Sequence, residues 1–367
     1  MNNTFITSQE IARESLPILK SNLVFANLVH TDFKNDFTNK GTIVQVRKPA
    51  PFTAVEFDGD LTGEYQDAVE SNVNVALDKI ASVDVKVTSQ ELSTSIQDFN
   101  KQIVEPAMVA LAEKIDADIA GLYKNVPYTV GAAASTPDAI SDITDVRKSL
   151  NNNKAPMQER YLVVDPDAEA KFLQIEALTS AEKVGDVKAI REAMIGQRFG
   201  FGILMNQNIK THTIGTLSSG VTASGTSGGT SINISSGGDT KTIVAGDVLT
   251  IADVGKFVAA ALATTEADGT ATVSVYPALP STFSGKAVTV TASHVANLGF
   301  QKNAFAFVCR PLAGAMGGAN SYVADFGGLA VRVTMGYDMD TKSNIVSFDC
   351  LYGVKCLYPE LAVRLLG

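Results

Sequence analysis

Three carboxylates lie within one short stretch of the chain, at Glu113, Asp116 and Asp118. Carboxylate oxygens at this spacing on a helix could bind Ca²⁺ or Mg²⁺. However, Lys114 precedes Asp118 by one helical turn, and such pairs are typical of a solvated helix face. We therefore expect these side chains to form a charged outer face and not a metal site.

The histidines and cysteines have no spacing that is typical of a metal or redox site. The histidines are His30, His212 and His294, and the cysteines are Cys309, Cys350 and Cys356. No histidine lies beside a cysteine or carboxylate at zinc-ligand spacing. Three late cysteines are too few for a disulfide framework, so we expect reduced thiols in a protein made in a cytoplasm. Cys350 and Cys356 fall in a strand pattern, which favours small core side chains over a redox pair.

Glycine-rich segments occur at Ser224–Gly229 and Gly237-Gly238. A phosphate-binding loop requires a following Lys-Ser/Thr and a helix, and neither segment has them. We also expect no nucleophile elbow, in which a strand, a Gly-x-Ser-x-Gly turn and a helix follow each other. A Ser/His/Asp triad built in another way stays open. The residue types thus predict no cofactor, no metal and no enzyme activity.

Length and composition indicate a soluble globular protein. The chain has 367 residues, of which 45% are hydrophobic and 19% charged, and it contains no Trp. This length suffices for two or three domains with cores of their own. We expect no membrane span, since no apolar run reaches about 18 residues, and no secretion signal at the N-terminus. The net charge of −9 disfavours a surface that tracks phosphates, because such surfaces need clustered Lys and Arg.

The longest helical pattern runs from Ser95 to Val126, and the other elements are organised around it. Ser95 can cap its start, with Asp98 as the reciprocal partner. Pro106 either begins the main helix at its first turn or kinks it, and Pro127 ends it. The apolar stripe at helical spacing consists of Val104, Met108, Leu111, Ile115, Ile119 and Leu122. A helix of this length predicts a spine that is longer than a compact domain needs.

The segments before this spine have the patterns of appendages. Residues 1–40 contain short apolar stretches, but Pro17 interrupts them, so we expect an arm without one continuous helix. Alternation predicts a strand at Thr42–Arg47 and a second strand region at Val73–Thr88, with a turn at Asp58-Gly59 between them. The two strands form a long hairpin. Such a hairpin is marginal by itself, so we expect it to lean on a neighbour.

A mixed α/β region follows the spine. We predict a short helix at Ile140–Leu150, a buried strand at Arg160–Val164 and a helix that starts after Asp165-Pro166. Ala189–Ile195 is predicted to be helical and Arg198–Leu204 to be a strand. This alternation favours a two-layer α/β domain.

From Thr211 to Gly238 the chain has no charged residue and is rich in Gly, Ser and Thr. Six short β segments begin here: Ser231–Ile234, Thr242–Val244, Asp247–Ile251, Val258–Ala263, Ala271–Tyr276 and Ala287–Thr291. Their regular spacing predicts a small antiparallel barrel, which we assign to an inserted domain at residues 222–293. A hairpin is predicted from Leu329–Tyr337 and Asn344–Leu351, and the chain ends on an apolar strand.

Several stretches of the sequence carry a family resemblance. They are Lys101–Ala107, Ala112–Asp118, Ala245–Ile251, and Leu351–Lys355 followed by Pro359–Ala362. In their order and spacing, the chain resembles the major capsid (coat) proteins of tailed bacteriophages with the Hong Kong 97-type fold. It is most similar to the subfamily with an inserted β-barrel domain. The resemblance covers nearly the whole chain and is weakest in residues 1–40 and 211–235.

The resemblance implies an α+β capsid fold with five parts. These are an N-terminal arm (1–40), an extended loop hairpin (41–79), a peripheral domain with the spine helix (80–127 and 326–350), an axial domain (128–221, 294–325 and 351–367) and the inserted antiparallel β-barrel (222–293). It implies a structural major capsid protein that self-assembles, as hexamers and pentamers, into the icosahedral shell around a double-stranded DNA genome. The implied partners are a scaffolding protein, a portal and non-specifically contacted DNA, with assembly in the bacterial host cytoplasm, a final location in the virion and no membrane.

The expected subunit contacts are charged side chains of the extended loop, which could complement charge on the spine of the next subunit. They are Arg47, Lys48, Glu56, Asp58, Asp60 and Glu64. Glu10 and Glu14 of the arm are the expected contacts of a basic scaffolding segment. Some relatives cross-link their subunits through a Lys and an Asn, but the residues give no basis for choosing such a pair.

Two other function classes stay open. One is an encapsulating compartment of the same fold that holds a cargo enzyme, although the subunits of such compartments usually lack a large inserted barrel. The other is a β-rich surface adhesin or fibre protein. The Gly/Ser/Thr run favours an adhesin, whereas the spine and the expected lack of a secretion signal oppose it.

Overall fold

The computed structural model describes residues 8–31, 43–48, 52, 54, 71–88, 99–180, 192–193, 195–217, 220–237, 240–314, 320–326, 328–340 and 343–367. The chain divides into two compact units. Unit 1 is drawn from residues 1–18, 31–107 and 306–357, and unit 2 from residues 19–30, 108–305 and 358–367. Helices occur together with sheets in which most strand pairs are antiparallel, so the α+β class predicted from the sequence is confirmed.

The predicted spine helix is confirmed. The helices of the described residues are α1 (Ser8–Asn22), α2 (Phe25–Leu28), α3 (Glu105–Ala120), α4 (Ile140–Asn152), α5 (Pro166–Leu173) and α6 (Glu176–Thr179). A π-helical turn (Asn100–Val104) leads directly into α3, and a 3-10 turn (Gly121–Asn125) follows it. Pro106 lies in the first turn of α3, where a missing amide hydrogen is best tolerated. The predicted cap of Ser95 with Asp98 lies outside the described residues.

Helix α1 continues through Pro17, although the sequence predicts that this proline interrupts it. The buried side chains of α1 recur at helical spacing, at Ile11, Ala12, Leu16 and Leu19. An interior proline costs about 3 kcal/mol, whereas each large apolar side chain contributes about 1.5–3 kcal/mol when it is buried. Burial of the stripe outweighs the proline, and the prediction of an interrupted helix is wrong.

Unit 1 is built on a five-stranded sheet. Its strands, numbered along the chain, are β3 (Lys79–Thr88), β18 (Phe305–Arg310), β19 (Asn320–Phe326), β20 (Leu329–Asp338) and β21 (Ser343–Cys356). The order is β18-β21-β20-β19, and β3 also pairs with β21. The predicted hairpin near the end of the chain is confirmed as β20 and β21.

A separate two-stranded ribbon consists of β1 (Ile43–Lys48) and β2 (Ser71–Ala76). Its register, with Ile43 opposite Ala76, confirms the strands at the base of the predicted hairpin. The predicted strand region Val73–Thr88 is in fact two strands, because β2 pairs with β1 whereas β3 pairs with β21. Gly353 of β21 lies where the Ala76 carbonyl approaches: a Cβ at Gly353 would be only 2.1 Å from that oxygen.

Unit 2 contains a seven-stranded sheet in the order β4-β22-β17-β5-β7-β6, with β8 paired to β17. These strands are β4 (Thr129–Val130), β5 (Arg160–Val164), β6 (Gly196–Arg198), β7 (Phe201–Met205), β8 (Thr211–His212), β17 (His294–Gln301) and β22 (Ala362–Leu366). Val146 and Leu150 of α4 and Phe172 of α5 share one buried core with the sheet, as expected for an α/β layer. The final strand β22 confirms the apolar strand predicted at the end of the chain.

The predicted single strand at Arg198–Leu204 is a hairpin of β6 and β7. Phe199 and Gly200 have φ angles of 51° and 82°, and a two-residue type I′ turn requires positive φ at both positions. Because a phenylalanine rarely adopts this conformation, its presence conceals the turn in the sequence. Most of the helical segment predicted at Ala189–Ile195 lies outside the described residues.

Six strands of unit 2 form a closed antiparallel barrel in the order β10-β15-β13-β12-β16-β9. They are β9 (Val221–Gly225), β10 (Ser231–Ser235), β12 (Val248–Ile251), β13 (Gly255–Ala259), β15 (Thr270–Tyr276) and β16 (Phe283–Val290). The predicted barrel is confirmed, but one of its predicted strands is wrong. β11 (Thr242–Ile243) pairs with β14 (Ala263–Thr264) outside the barrel, and β9 closes the barrel instead. Only Val221 and Ala223 of β9 are buried, so its alternation is weak in the sequence.

The five predicted domain ranges stay predictions. Within the described residues, β17 belongs to the seven-stranded sheet and the next strand, β18, to the five-stranded sheet. The transition between the two sheets thus falls inside the range 294–325, which the sequence assigns as a whole to the axial domain.

Candidate functional site

A buried polar cluster lies where the chain enters and leaves the barrel. It comprises Tyr123 of the 3-10 turn after α3, His212 of β8, Asp247 directly before β12, His294 of β17 and Arg364 of β22. His212 and His294 are direct partners in the pairing of β8 with β17, and their ring centres are 5.4 Å apart. The five side chains are almost completely buried. The cluster therefore joins the first and last strands around the insertion to a barrel residue.

Hydrogen bonds connect three of these side chains in a row. The Tyr123 hydroxyl lies 3.0 Å from His212 Nδ1, and His212 Nε2 lies 2.8 Å from Asp247 Oδ1. The amide of Val244 donates to Asp247 Oδ2 at 2.7 Å, and the amide of Gly215 donates to the same oxygen at 3.3 Å. His212 therefore bridges Tyr123 and Asp247 through its two ring nitrogens.

Arg364 supplies the positive charge of the cluster. Its guanidinium lies 5.1 Å from the centre of the Tyr123 ring, and its Nη1 donates to the Gly246 carbonyl at 2.8 Å. Burial lowers the pKa of Arg364 to about 9, so the group stays protonated at neutral pH. Burial also raises the pKa of Tyr123 and lowers the pKa of His294 to about 4. At neutral pH the cluster thus contains a protonated Arg364 together with neutral Tyr123 and His294.

The order Tyr-His-Asp is reminiscent of a proton relay, but its chemistry here is structural. Each group is buried by its neighbours, and a nucleophile must reach a substrate to react. What the network can do is fix the barrel on the sheet, because the bonds from Tyr123 to His212 and from His212 to Asp247 join segments that are distant in sequence. Sequence reasoning missed this cluster, since His212, Asp247 and His294 have no motif spacing.

Asp116 occupies a second buried polar position. The sequence assigns it to a solvated helix face, whereas its exposed fraction is 1%, so that prediction is wrong for this residue. Its carboxylate accepts hydrogen bonds from the Val24 amide at 2.8 Å and from Asn206 Nδ2 at 2.9 Å, and burial raises its pKa. The neighbouring pair is confirmed, with Lys114 Nζ 3.1 Å from Asp118 Oδ1. Asp116 therefore anchors the start of α2 to the spine.

The turn Gly225–Gly229 satisfies the Gly-x-Ser-x-Gly spacing around Ser227. It joins β9 to β10, so a strand follows it where a nucleophile elbow has a helix. The Ser227 hydroxyl donates to the Pro280 carbonyl at 3.3 Å. This serine is a turn residue. Across the described residues there is no group of three or more His, Cys, Asp or Glu side chains that could hold a metal ion, and no helix long and apolar enough to cross a membrane.

Comparison with known proteins finds a family match for part of the chain and solved structures with a similar fold. Residues 75–231 match the family model described as phage capsid protein. A solved structure from Mycobacterium phage Che8 has 17% sequence identity and a TM-score of 0.55, over 94% of this chain and 90% of that chain. The capsid structure of the cyanophage P-SCSP1u has 13% identity and a TM-score of 0.52, over 94% of this chain and 88% of that chain. At these identities the likeness shows a shared fold.

Residues 75–231 match a phage capsid protein family, and the chain shares its fold with a solved phage capsid. The family match and the shared fold confirm the resemblance and the capsid fold with an inserted barrel that the sequence predicts. No curated protein matches the chain in sequence.

The predicted contact residues of the extended loop are only partly described. Arg47 and Lys48 are the last residues of β1, opposite Asn72 and Ser71 of β2. They lie at the end of the ribbon that continues into the loop, away from its base at Gly353. The remaining predicted residues, Glu56, Asp58, Asp60 and Glu64, lie outside the described residues.

The ribbon of β1 and β2 has little interior of its own. Among the described strands, β1 and β2 pair only with each other. Val75 is buried, but Gln45, Asn72 and Asn74 are exposed. A two-stranded ribbon with polar exposed faces is marginally stable in isolation.

The predicted scaffold contacts both lie on α1. Glu14 is exposed and accepts a hydrogen bond from the side-chain amide of Asn100. Glu10 lies one turn before it, and the surroundings of its side chain are outside what is described. The geometry thus shows an internal partner for Glu14.

Proposed function

We propose that many copies of this capsid protein assemble, as hexamers and pentamers, into an icosahedral shell that encloses a double-stranded DNA phage genome. The observation that carries the proposal is the ribbon of β1 and β2. It has only two strands and exposed polar side chains, so its own packing stabilises it little. A second copy of the chain is the partner that a closed shell always provides.

In the proposed contact, the extended loop lies on the spine of the next subunit. Arg47 and Lys48 supply positive charge at the start of the loop, and Glu56, Asp58, Asp60 and Glu64 supply negative charge within it. Each such contact at a surface is weak, because exposed ion pairs contribute about 0–1 kcal/mol. Repetition around closed rings adds these contacts together, so the shell is stable although each interface is modest.

Further partners follow from the same proposal. Glu10 and Glu14 contact a basic segment of a scaffolding protein, and a portal occupies one vertex of the shell. Assembly takes place in the bacterial host cytoplasm, and the shell becomes part of the virion. The net charge of −9 suits non-specific contact with packaged DNA, because a strongly basic wall would hold phosphates tightly.

The barrel argues against the alternative of a compartment for a cargo enzyme. It is a closed module of six strands with its own apolar core, and it is an insertion that the subunits of such compartments usually lack. An adhesin or fibre protein is opposed by the capsid family match.

The test is electron microscopy of purified protein together with a deletion of residues 51–70. We expect closed particles from the intact chain, and folded, soluble subunits without stable particles from the deletion. Circular dichroism and size-exclusion chromatography establish that the deleted chain is folded. Normal particles from the deletion would refute the role of the loop, and monomers or filaments of the intact chain under all salt conditions would refute the shell.

Charge reversal separates the loop contact from a general charge effect. The variant Arg47→Glu with Lys48→Glu should lower particle yield. The matched control, Lys148→Glu with Lys171→Glu, makes the same charge change at exposed positions of α4 and α5 and should assemble normally. Equal loss of particles in both variants would show that net charge, and not the loop, governs the yield.

A further inference from the structure

Two cysteines face each other in the five-stranded sheet. Cys309 lies on β18 and Cys350 on the neighbouring strand β21. Their sulfur atoms are 3.5 Å apart, in hydrogen-bond contact. Cys350 is fully buried, whereas Cys309 is partly exposed. The sequence analysis weighed a redox pair of Cys350 and Cys356, but the fold places Cys350 beside Cys309.

The two thiols have different environments. The Cys309 sulfur accepts a hydrogen bond from the Ala330 amide at 3.3 Å. The contact between the two sulfurs lowers the pKa of Cys309 and, together with burial, raises that of Cys350 well above its usual value. Cys309, the less buried of the two residues, therefore has the lower thiol pKa, and a thiolate is the form that reacts with oxidants. The buried sulfur beside it is placed to resolve the oxidised product.

We propose that Cys309 and Cys350 form an oxidation site, at which a small peroxide converts the two thiols of one chain into an intrachain disulfide. In the first step Cys309 releases its proton, the thiolate attacks one oxygen of hydrogen peroxide, and the O–O bond breaks; a sulfenic acid forms, and the leaving hydroxide takes up the proton to become water. In the second step the Cys350 sulfur attacks the Cys309 sulfur, the S–O bond breaks, and a second water leaves. Two thiols are oxidised by two electrons, and one peroxide is reduced to two waters.

The disulfide would form and stabilise the folded chain after the protein leaves a reducing cytoplasm. Thiols stay reduced there, and disulfides persist in oxidising surroundings. The new bond would join β18 to β21 and close a loop that contains β19 and β20. A closed loop restricts the unfolded chain, so the oxidised protein should unfold at a higher temperature than the reduced protein.

The test uses purified full-length protein treated with hydrogen peroxide under non-reducing conditions. We expect the intact mass to fall by about 2 Da, the mass of two hydrogen atoms. Peptide mapping should show one cross-linked peptide pair that contains Cys309 and Cys350. The midpoint of thermal unfolding should rise, and a thiol reductant should reverse both changes.

Single substitutions give the controls. Cys309→Ser and Cys350→Ser should each abolish the mass loss, whereas Cys356→Ser, at a buried position on the same strand β21, should keep it. The proposal is overturned if the wild-type protein only gains oxygen, if the disulfide involves Cys356, or if the bond joins two chains. Peptide mapping of the wild-type protein decides between these results even if a serine variant fails to fold.

Discussion

The ribbon of β1 and β2 and the inserted barrel are both antiparallel β-structures, but only the barrel has an interior. The barrel buries a continuous apolar cluster that includes Leu249, Phe257 and Val273. In the ribbon, Val75 is buried, while Gln45 and Asn74 are exposed. Closure removes the free strand edges of the barrel, whereas the ribbon keeps two of them.

Because of this difference, we expect the barrel to be stable within one chain and the ribbon to need a second copy of the chain. The barrel has its own core and is fixed to the seven-stranded sheet by the Tyr123, His212 and Asp247 network. The ribbon meets its own chain closely at Gly353, and its strands pair only with each other among the described strands. We therefore expect core and network substitutions to act within the subunit, and ribbon substitutions to act on assembly.

The largest effect is expected from Phe257→Ala in the barrel core. Phe257 is 2% exposed, and removal of a buried aromatic ring destabilises by about 3–5 kcal/mol. Hydrogen exchange of the barrel amides should accelerate accordingly. The control, Leu262→Ala, changes a side chain of the same region that is 68% exposed and should leave exchange unaltered. Equal exchange rates in both variants would contradict a self-contained core.

Asp247→Asn should loosen the attachment of the barrel. It removes the charge that accepts from His212, Val244 and Gly215. Breaking a buried charged network costs about 3 kcal/mol, measured as faster exchange in β8 and β12. Asp253→Asn is the matched control, because its partner Lys286 is an exposed surface residue, and it should have no measurable effect. Equal exchange rates in the two variants would show that the network does not attach the barrel to the sheet.

Acid should weaken the same junction through His294. Its pKa in the folded state is about 4, below the ordinary value of 6.5, because burial disfavours the charged ring. The stability that neutral His294 contributes is present above pH 6.5 and is lost as the pH falls towards 4, by about 2–3 kcal/mol. Urea unfolding of the wild type at pH 7 and pH 4.5 should show this loss.

The control for the acid effect removes the titrating ring. His294→Gln should flatten the part of the pH dependence between pH 6.5 and pH 4. An unchanged slope in His294→Gln would mean that another group causes the acid sensitivity.

The smallest stability effect is expected from Gly353→Ala at the base of the ribbon. The added Cβ would lie 2.1 Å from the Ala76 carbonyl, so the base of the ribbon must shift. Overpacking of this kind costs about 1–3 kcal/mol, and we expect fewer particles from otherwise folded subunits. Gly336→Ala adds the same methyl group on β20 with no atom within 4 Å, and should assemble normally. Normal assembly of both variants would show that the base of the ribbon has no role in shell formation.

Local patterns predicted the parts of the fold that local physics determines. The spine, the base of the hairpin and the barrel follow from apolar periodicity and turn residues, which are properties of short windows. At Pro17 and in β9, the pattern within a short window predicted the wrong local structure. A buried stripe overrode the proline, and closure of a barrel recruited the weakly patterned segment around Val221 and Ala223.

The polar positions were harder to predict because the fold assembles them from distant segments. His212, Asp247 and His294 are brought together only when the insertion starts and ends on the same sheet. Asp116 did carry a signal, since it lies one helical turn after buried Ala112 and directly after buried Ile115. Its charge suggested solvent, but it lies next to Ile115 of the apolar stripe, at the edge of the buried face.

A cryo-electron microscopy reconstruction of particles from the purified protein tests the central claim most directly. We predict a closed shell in which the loop between β1 and β2 of each subunit lies on the spine helix of its neighbour, while each barrel contacts its own chain through the Tyr123, His212 and Asp247 network. A loop folded back onto its own subunit, without extensive contacts between copies, would contradict the account.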